Sequence, residues 1–170
     1  MKVLCIIPAR YASTRLPGKP LREIAGKPMI VRVYERAVQA RLVQDVVVAT
    51  DDERIRAAVE EYGGRAVMTR ADHATGTDRL AEVAEKMTDY DLIINVQGDE
   101  PLIDPAVIDA LVEPFLADAT LPMATAKTLL TDEVEMANPN NVKVITDLTG
   151  DALYFSRARI PYARNTGAKV

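Results

Sequence analysis

Apolar and polar positions alternate along this chain in two rhythms. Short, nearly continuous apolar runs, of the kind buried on both faces of a parallel sheet, are separated by stretches whose apolar residues recur at helical spacing. The first run, Lys2 to Pro8, leads into a loop punctuated by Gly and Pro that lasts to about Lys27. Pro28 suits the first turn of a helix with Ile30, Val33, Tyr34, Ala37 and Val38 on one face. Asp45 to Thr50 reads as a second strand, and Asp51 or Asp52 can cap the next helix, which carries Ile55, Ala58, Val59 and Tyr62 and ends at Gly63-Gly64. A short strand from Arg65 to Thr69 follows, then a helix that Thr77 can cap, with Leu80, Val83, Ala84 and Met87 on its stripe. Leu92 to Val96 is another apolar strand, and Asp104-Pro105 opens a helix through Leu116. Met123 to Leu130, Val142 to Thr146 and Ala152 to Phe155 complete the strands, with Thr149-Gly150-Asp151 as a turn that predicts antiparallel pairing late in the chain. The alternation predicts an α/β fold with a mostly parallel sheet covered on both faces. With no repeat, low-complexity segment or linker, one domain over residues 1–170 is expected.

Composition narrows the chemistry. The chain has 170 residues, 48% hydrophobic and 27% charged, which is ordinary for a folded domain. Lys plus Arg total 21 against 25 Asp plus Glu, a formal net charge of −4. That balance argues against broad binding to nucleic acid or anionic membrane, yet permits a local basic pocket. The run from Val3 to Ile7 stops at Pro8, too short for a membrane span or signal peptide. Cys5 stands alone inside that run and reads as a buried thiol in a reducing compartment, so a cytoplasmic location is expected.

The richest chemistry lies in the first loop, Pro8 to Leu21. It leaves the carboxyl end of a strand, where open α/β sheets bind ligands. Arg10, Arg15 and Lys19 are spaced there by small and hydroxyl residues such as Ala9 and Ser13. Backbone N–H groups in such a loop can cradle phosphate, Arg adds forked hydrogen bonds and Lys a point charge. The alternative is a solvated basic loop with no ligand. Gly18-Lys19 is followed by Pro20, so the loop lacks the Ser/Thr of a P-loop, and no Gly-x-Gly-x-x-Gly occurs to support a dehydrogenase.

The segment PARYASTRLPGKPL resembles the amino-terminal signature of nucleotide-activating sugar transferases, most closely the 3-deoxy-manno-octulosonate cytidylyltransferases, or CMP-Kdo synthetases. Four further blocks follow in the family's order: VATDDERI, TRADHATGTDRLAEV, NVQGDEP and ALYFSRARIPY. The resemblance spans essentially the whole chain and implies a three-layer, Rossmann-like nucleotidyltransferase domain. It implies transfer of CMP from CTP to the sugar acid Kdo with Mg2+, releasing pyrophosphate and supplying lipopolysaccharide synthesis. A cytidylyltransferase for another sugar acid, such as sialic acid, or a catalytically incomplete nucleotide-binding module, is the alternative. The resemblance further implies a longer protein, with later sugar-acid and metal-binding residues and much of a homodimer interface beyond the last block.

Residue by residue, the resemblance assigns nucleotide binding to Pro8, Ala9, Arg10, Ser13, Arg15 and Lys19, with Arg10 and Lys19 acting on the phosphates during catalysis. Asp99 would be a metal ligand and catalytic; one carboxylate with phosphate oxygens and water suits magnesium, although Asp before Pro101 can also serve only a turn. Gln97 can donate to or accept from the base or the sugar acid. Thr75 and Gly76 match a segment that contacts nucleotide, against the plainer reading of a helix cap. Arg157 matches the motif around the sugar acid, whose carboxylate an Arg can bind in forked geometry. His73 has no second His or Cys to form a zinc site and reads as structural. Glu100, Arg159 and Arg164 receive no role, and no residue stands out as a general base.

Overall fold

In the computed structural model, which describes residues 1–12 and 16–162, each early apolar run becomes a strand paired with its neighbours. The chain groups into two compact units, Met1–Ala124 and Thr125–Val170. In the first, β1 (Val3–Ala9) pairs in parallel with β4 (Asp45–Thr50) on one side and β6 (Leu92–Asn95) on the other; β5 (Ala66–Met68) pairs in parallel with β4. The strand order is β5-β4-β1-β6. Both faces of β1 are covered, which is why it reads as a continuous apolar run. Val3, Cys5 and Ile7 pack towards α1 (Met29–Ala37), α2 (Glu53–Glu61) and α4 (Pro105–Ala117), whereas Leu4 and Ile6 pack with Leu80 and Val83 of α3 (Gly76–Lys86). The result is the three-layer α/β/α arrangement expected. Burial pushes the Cys5 thiol up to about 12, so it is an inert packing group.

Several local expectations need correction. The first loop ends in a small hairpin, β2 (Glu23–Ile24) with β3 (Lys27–Pro28), turning at Ala25 and Gly26, both at positive φ (48° and 76°). Pro28 is the cap of α1 rather than its first residue. Val38 and Tyr62, placed on apolar helix faces by periodicity, lie one residue past α1 and α2 and are exposed. Asp52, not Asp51, caps α2, its carboxylate accepting from Arg54 N. Thr75, not Thr77, caps α3, because a reciprocal capping box with Asp78 is available only from Thr75.

In the second unit, β7 (Lys143–Thr146) pairs antiparallel with β8 (Ala152–Ser156), as the turn at Gly150 predicted. The expected strand from Met123 to Leu130 is not formed: it has no ladder partner among the described residues, and an apolar run without one stays irregular. A short helix α5 (Glu133–Ala137), capped by Asp132, was not foreseen; it is too short to show a periodic stripe.

Candidate functional site

The sheet changes its direction of growth at β1, since β4 and β5 extend it one way and β6 the other. Loops leaving the carboxyl ends of β1 and β6 therefore diverge and leave a crevice, the usual ligand position in such sheets. A shallow cleft of about 170 Å³ lies there. Pro8, Ala9, Arg10, Lys19, Gln97 and Asp99, residues far apart in the chain and singled out from sequence, all line it. Pro20, Met29 and Gly98 complete it. Gly98 was given no role, yet any Cβ there would sit 2.7 Å from Pro8 O, so only glycine lets the two loops approach this closely.

Lys19 opens a single 3-10 turn (Lys19–Leu21), and its Nζ lies 2.6 Å from Asp99 Oδ2. Both side chains are substantially exposed, at 40% and 52%, so the pair adds little to stability. Its importance is chemical: a cation suited to phosphate and an anion suited to a metal ion neutralise each other and are held ready at one place. Arg10 Nη1 reaches Ala74 O at 3.5 Å, the limit of a hydrogen bond, while Nη2 is buried without a partner among the described residues. A buried guanidinium nitrogen without an acceptor is a standing demand for an anion. Among the described residues Gln97 Nε2 has one hydrogen-bond partner, Asn95 Oδ1 at 3.4 Å. Ser13 and Arg15 lie outside the described residues.

The loop's support was missed from sequence. Arg54 holds Asp52 through two bonds, Nε to Oδ1 at 2.9 Å and Nη2 to Oδ2 at 2.6 Å, and lays its guanidinium 3.4 Å from the centroid of the Tyr11 ring. Tyr11 O in turn accepts from Gly18 N at 2.9 Å, and Gly18 sits at φ 70° with the Tyr11 ring 3.2 Å from where a Cβ would be. The VATDDERI block thus braces the basic loop from the next strand. The signal was the block itself, which carried a motif match but no chemistry of its own.

Thr75 and Gly76, predicted for the site, are not among the residues that line the cleft; at the start of α3 they form a wall next to it. Thr75 Oγ1 and N both donate to Asp78 Oδ2, at 2.8 and 2.9 Å, and these bonds hold the Asp78 carboxyl below its usual range. Gly76 faces Pro8, 3.6 Å from where a Cβ would be, so this wall does stand beside the end of β1. His73 is structural: Nε2 bonds Glu82 Oε2 at 2.5 Å, and Glu82 also takes Lys86 Nζ at 2.6 Å and Arg70 N at 3.0 Å. Lys86, His73 and the Arg70 amide together hold the Glu82 carboxyl down to about 2, below its ordinary 4.5. Because the folded value is the lower one, this stabilisation is complete above about 4.5 and is lost as pH falls towards 2. The urea midpoint is expected to fall more steeply from about pH 5 to about pH 3 in the unaltered chain than in Glu82→Gln. Superimposable profiles would show that the carboxylate contributes nothing.

No group of three or more His, Cys, Asp and Glu that could hold a metal occurs among the described residues. A single carboxylate can still suffice for magnesium, which keeps water and phosphate oxygens in its shell. Asp99, paired with Lys19, is a carboxylate that could serve in this way. Glu100 is exposed, and its backbone takes part in the turn, N–H donating to Gln97 O at 3.3 Å and C=O accepting from Ile103 N at 3.1 Å.

In the second unit, Arg157 is exposed and its Nη1 donates to Pro139 O at 2.9 Å. Arg159 is paired with Glu133, which accounts for its charge, and Arg164 lies outside the described residues. A larger hollow of about 930 Å³ occurs there, with Leu129, Val144 and Phe155 in its wall. Among the described residues no carboxylate lines it, so size does not make it the better phosphoryl-transfer site.

The sequence profile of the cytidylyltransferases matches residues 4–170. The 3-deoxy-manno-octulosonate cytidylyltransferase of Geobacter metallireducens is 58% identical over 97% of this chain and 65% of its own length. That of Syntrophotalea carbinolica is 60% identical over 96% of this chain and 65% of its own. This chain therefore spans about two thirds of the length of those relatives. Among solved structures, a CMP:2-keto-3-deoxy-manno-octonic acid synthetase complexed with CTP superposes with a TM-score of 0.90 at 52% identity, over 97% of this chain and 68% of that one.

Proposed function

The chain belongs to the cytidylyltransferase family, and from that premise we propose that it transfers CMP from CTP to 3-deoxy-D-manno-octulosonate, giving CMP-Kdo and pyrophosphate for lipopolysaccharide synthesis. The observation that carries the reading is the Lys19–Asp99 pair set between the carboxyl ends of β1 and β6. Arg10 and Lys19 would bind the triphosphate and stabilise the charge that collects on the departing pyrophosphate. Asp99 would hold Mg2+, which when bound supplies Lewis-acid polarisation of the α-phosphate. Thr75 and Gly76 would flank the nucleoside, and Gln97 would orient the base or the sugar acid. Arg157 would meet the sugar-acid carboxylate. A Kdo hydroxyl attacks the α-phosphorus in line; the new O–P bond forms as the bond to the β-phosphate oxygen breaks, and the hydroxyl proton leaves to solvent. The protein's contribution is positioning and electrostatics rather than covalent chemistry.

A cytoplasmic setting is part of this reading and is supported by the lone, buried Cys5. A homodimer is part of this reading and is supported by Leu153, Tyr154 and Phe155, which β8 leaves exposed.

The test is to supply CTP, Mg2+ and Kdo and to follow pyrophosphate and CMP-Kdo together, with CTP affinity measured in parallel by calorimetry. CMP-Kdo formation is expected, and a stronger signal with sialic acid would reassign the substrate. CTP binding without transfer would assign the nucleotide site to this chain and the sugar-acid site to the third of its relatives' length that it does not span. Absence of CTP binding would overturn the reading.

A further inference from the structure

Arg79 is fully buried, the largest such side chain among the described residues, and nothing in the mechanism above uses it. A guanidinium keeps its charge at any working pH, and burying one is costly unless every donor is met. Here the pairing is incomplete. Nη1 donates to Thr69 Oγ1 and Nη2 lies 3.1 Å from Asp51 Oδ2, yet Nε and Nη2 have no hydrogen-bond acceptor among the described residues. An apolar side chain of similar volume would serve stability as well. Geometry is what the arginine adds.

Its two partners mark the ends of neighbouring strands. Asp51 follows β4 directly and Thr69 follows β5 directly, and Thr69 N donates to Thr50 O at 2.9 Å. Arg79 itself stands in the first turn and a half of α3. The same turn carries Gly76 against Pro8, and Ala74 O just before it meets Arg10 Nη1. Any slide of α3 along the sheet would therefore move the wall beside the end of β1.

We propose that Arg79 is a positioning residue for the nucleoside side of the cleft: it fixes the first turn of α3 to the ends of β4 and β5, so that Thr75 and Gly76 form a rigid wall. This rests on the reading of the cleft as a CTP site. The phosphate side has its own brace in Tyr11, Gly18 and Arg54, and its described link to the start of α3 is the marginal 3.5 Å contact of Arg10 Nη1 with Ala74 O. Loss of Arg79 should thus weaken binding of a nucleoside triphosphate more than binding of its bare phosphate chain.

Calorimetric titration with CTP and with inorganic tripolyphosphate separates the two sides. Arg79→Lys keeps the charge but cannot fork to both partners, and Thr69→Val removes one acceptor at nearly constant volume. Each variant is expected to weaken CTP by about tenfold, the scale of one lost charge-assisted contact, with tripolyphosphate affinity unchanged. A merely structural role would lower the urea midpoint and leave the ratio of the two affinities as it was. An unchanged ratio in folded Thr69→Val overturns the proposal even if Arg79→Lys fails to fold. An unaltered chain that binds neither ligand overturns the CTP reading and this inference with it. Lys19→Ala, which should weaken both ligands alike, shows the CTP reading intact when the Arg79 proposal alone fails.

Discussion

Replacing Asp99 with Asn is expected to cut pyrophosphate release by at least about a hundredfold, the scale on which one preorganised charge stabiliser acts. The amide keeps the shape of the turn but cannot anchor a hard divalent cation, which needs an anionic oxygen. The 2.6 Å pair with Lys19 makes a second, opposite outcome follow from the same change. A neutral amide is no counter-ion, so Lys19 is released to the triphosphate, and CTP binding in the presence of a chelator should be retained or tightened. Steady-state pyrophosphate release at fixed magnesium, beside CTP titrations with EDTA, gives both readings. Near-normal turnover would mean that Asp99 serves only the turn before Pro101. A parallel loss of metal-free CTP affinity would mean that the pair matters for fold rather than for ligand exchange.

Removing the partner cation should act on the nucleotide. Lys19→Ala or Arg10→Ala deletes a charge-assisted contact worth about 1.5–3 kcal/mol, or about tenfold to a hundredfold in CTP affinity. Arg56 supplies the control, because its guanidinium is already engaged with Glu53 at 2.7 Å on the surface of α2. The Lys19 effect should shrink as salt rises, since that side chain is 40% exposed, whereas the buried Nη2 of Arg10 should be screened less. Equal losses at Arg10, Lys19 and Arg56 would show a general charge effect and remove the loop from the site. Because Lys19 and Asp99 touch, their double variant is expected to be non-additive in CTP affinity without metal.

Much of the frame was legible residue by residue. β1 and β4 are runs buried on two faces and β6 is an apolar run that is partly buried, and such runs carry their signal in composition alone. The cap at Asp104 is local, since its carboxylate meets the N–H of Ala106 two residues on. Where boundaries slipped, the competing interaction was also local but reciprocal: Thr77 has a hydroxyl in the right neighbourhood, yet only Thr75 can trade bonds with Asp78. The segment from Met123 to Leu130 misled for the opposite reason. Its apolar residues were real, but a strand is made by a neighbour, which one segment cannot report.

The sequence by itself determined the layer order of the first unit, the basic first loop and the acidic turn after β6, because each depends on residues close together in the chain. Tertiary structure decided which of these meet. Lys19 and Asp99 are 80 residues apart, and their contact exists only because β1 and β6 are adjacent strands whose loops diverge at the switch in sheet growth. It also decided the parts to which the sequence gives no role. Arg79 reads as one more polar residue at the start of a helix, Arg54 as a solvated side chain, and Gly98 as a turn residue. Burial between strand ends, stacking on Tyr11 and a 2.7 Å approach to Pro8 O give them their meaning. Such roles are set by long-range packing, and no pattern along a single chain encodes the distance between two of its loops.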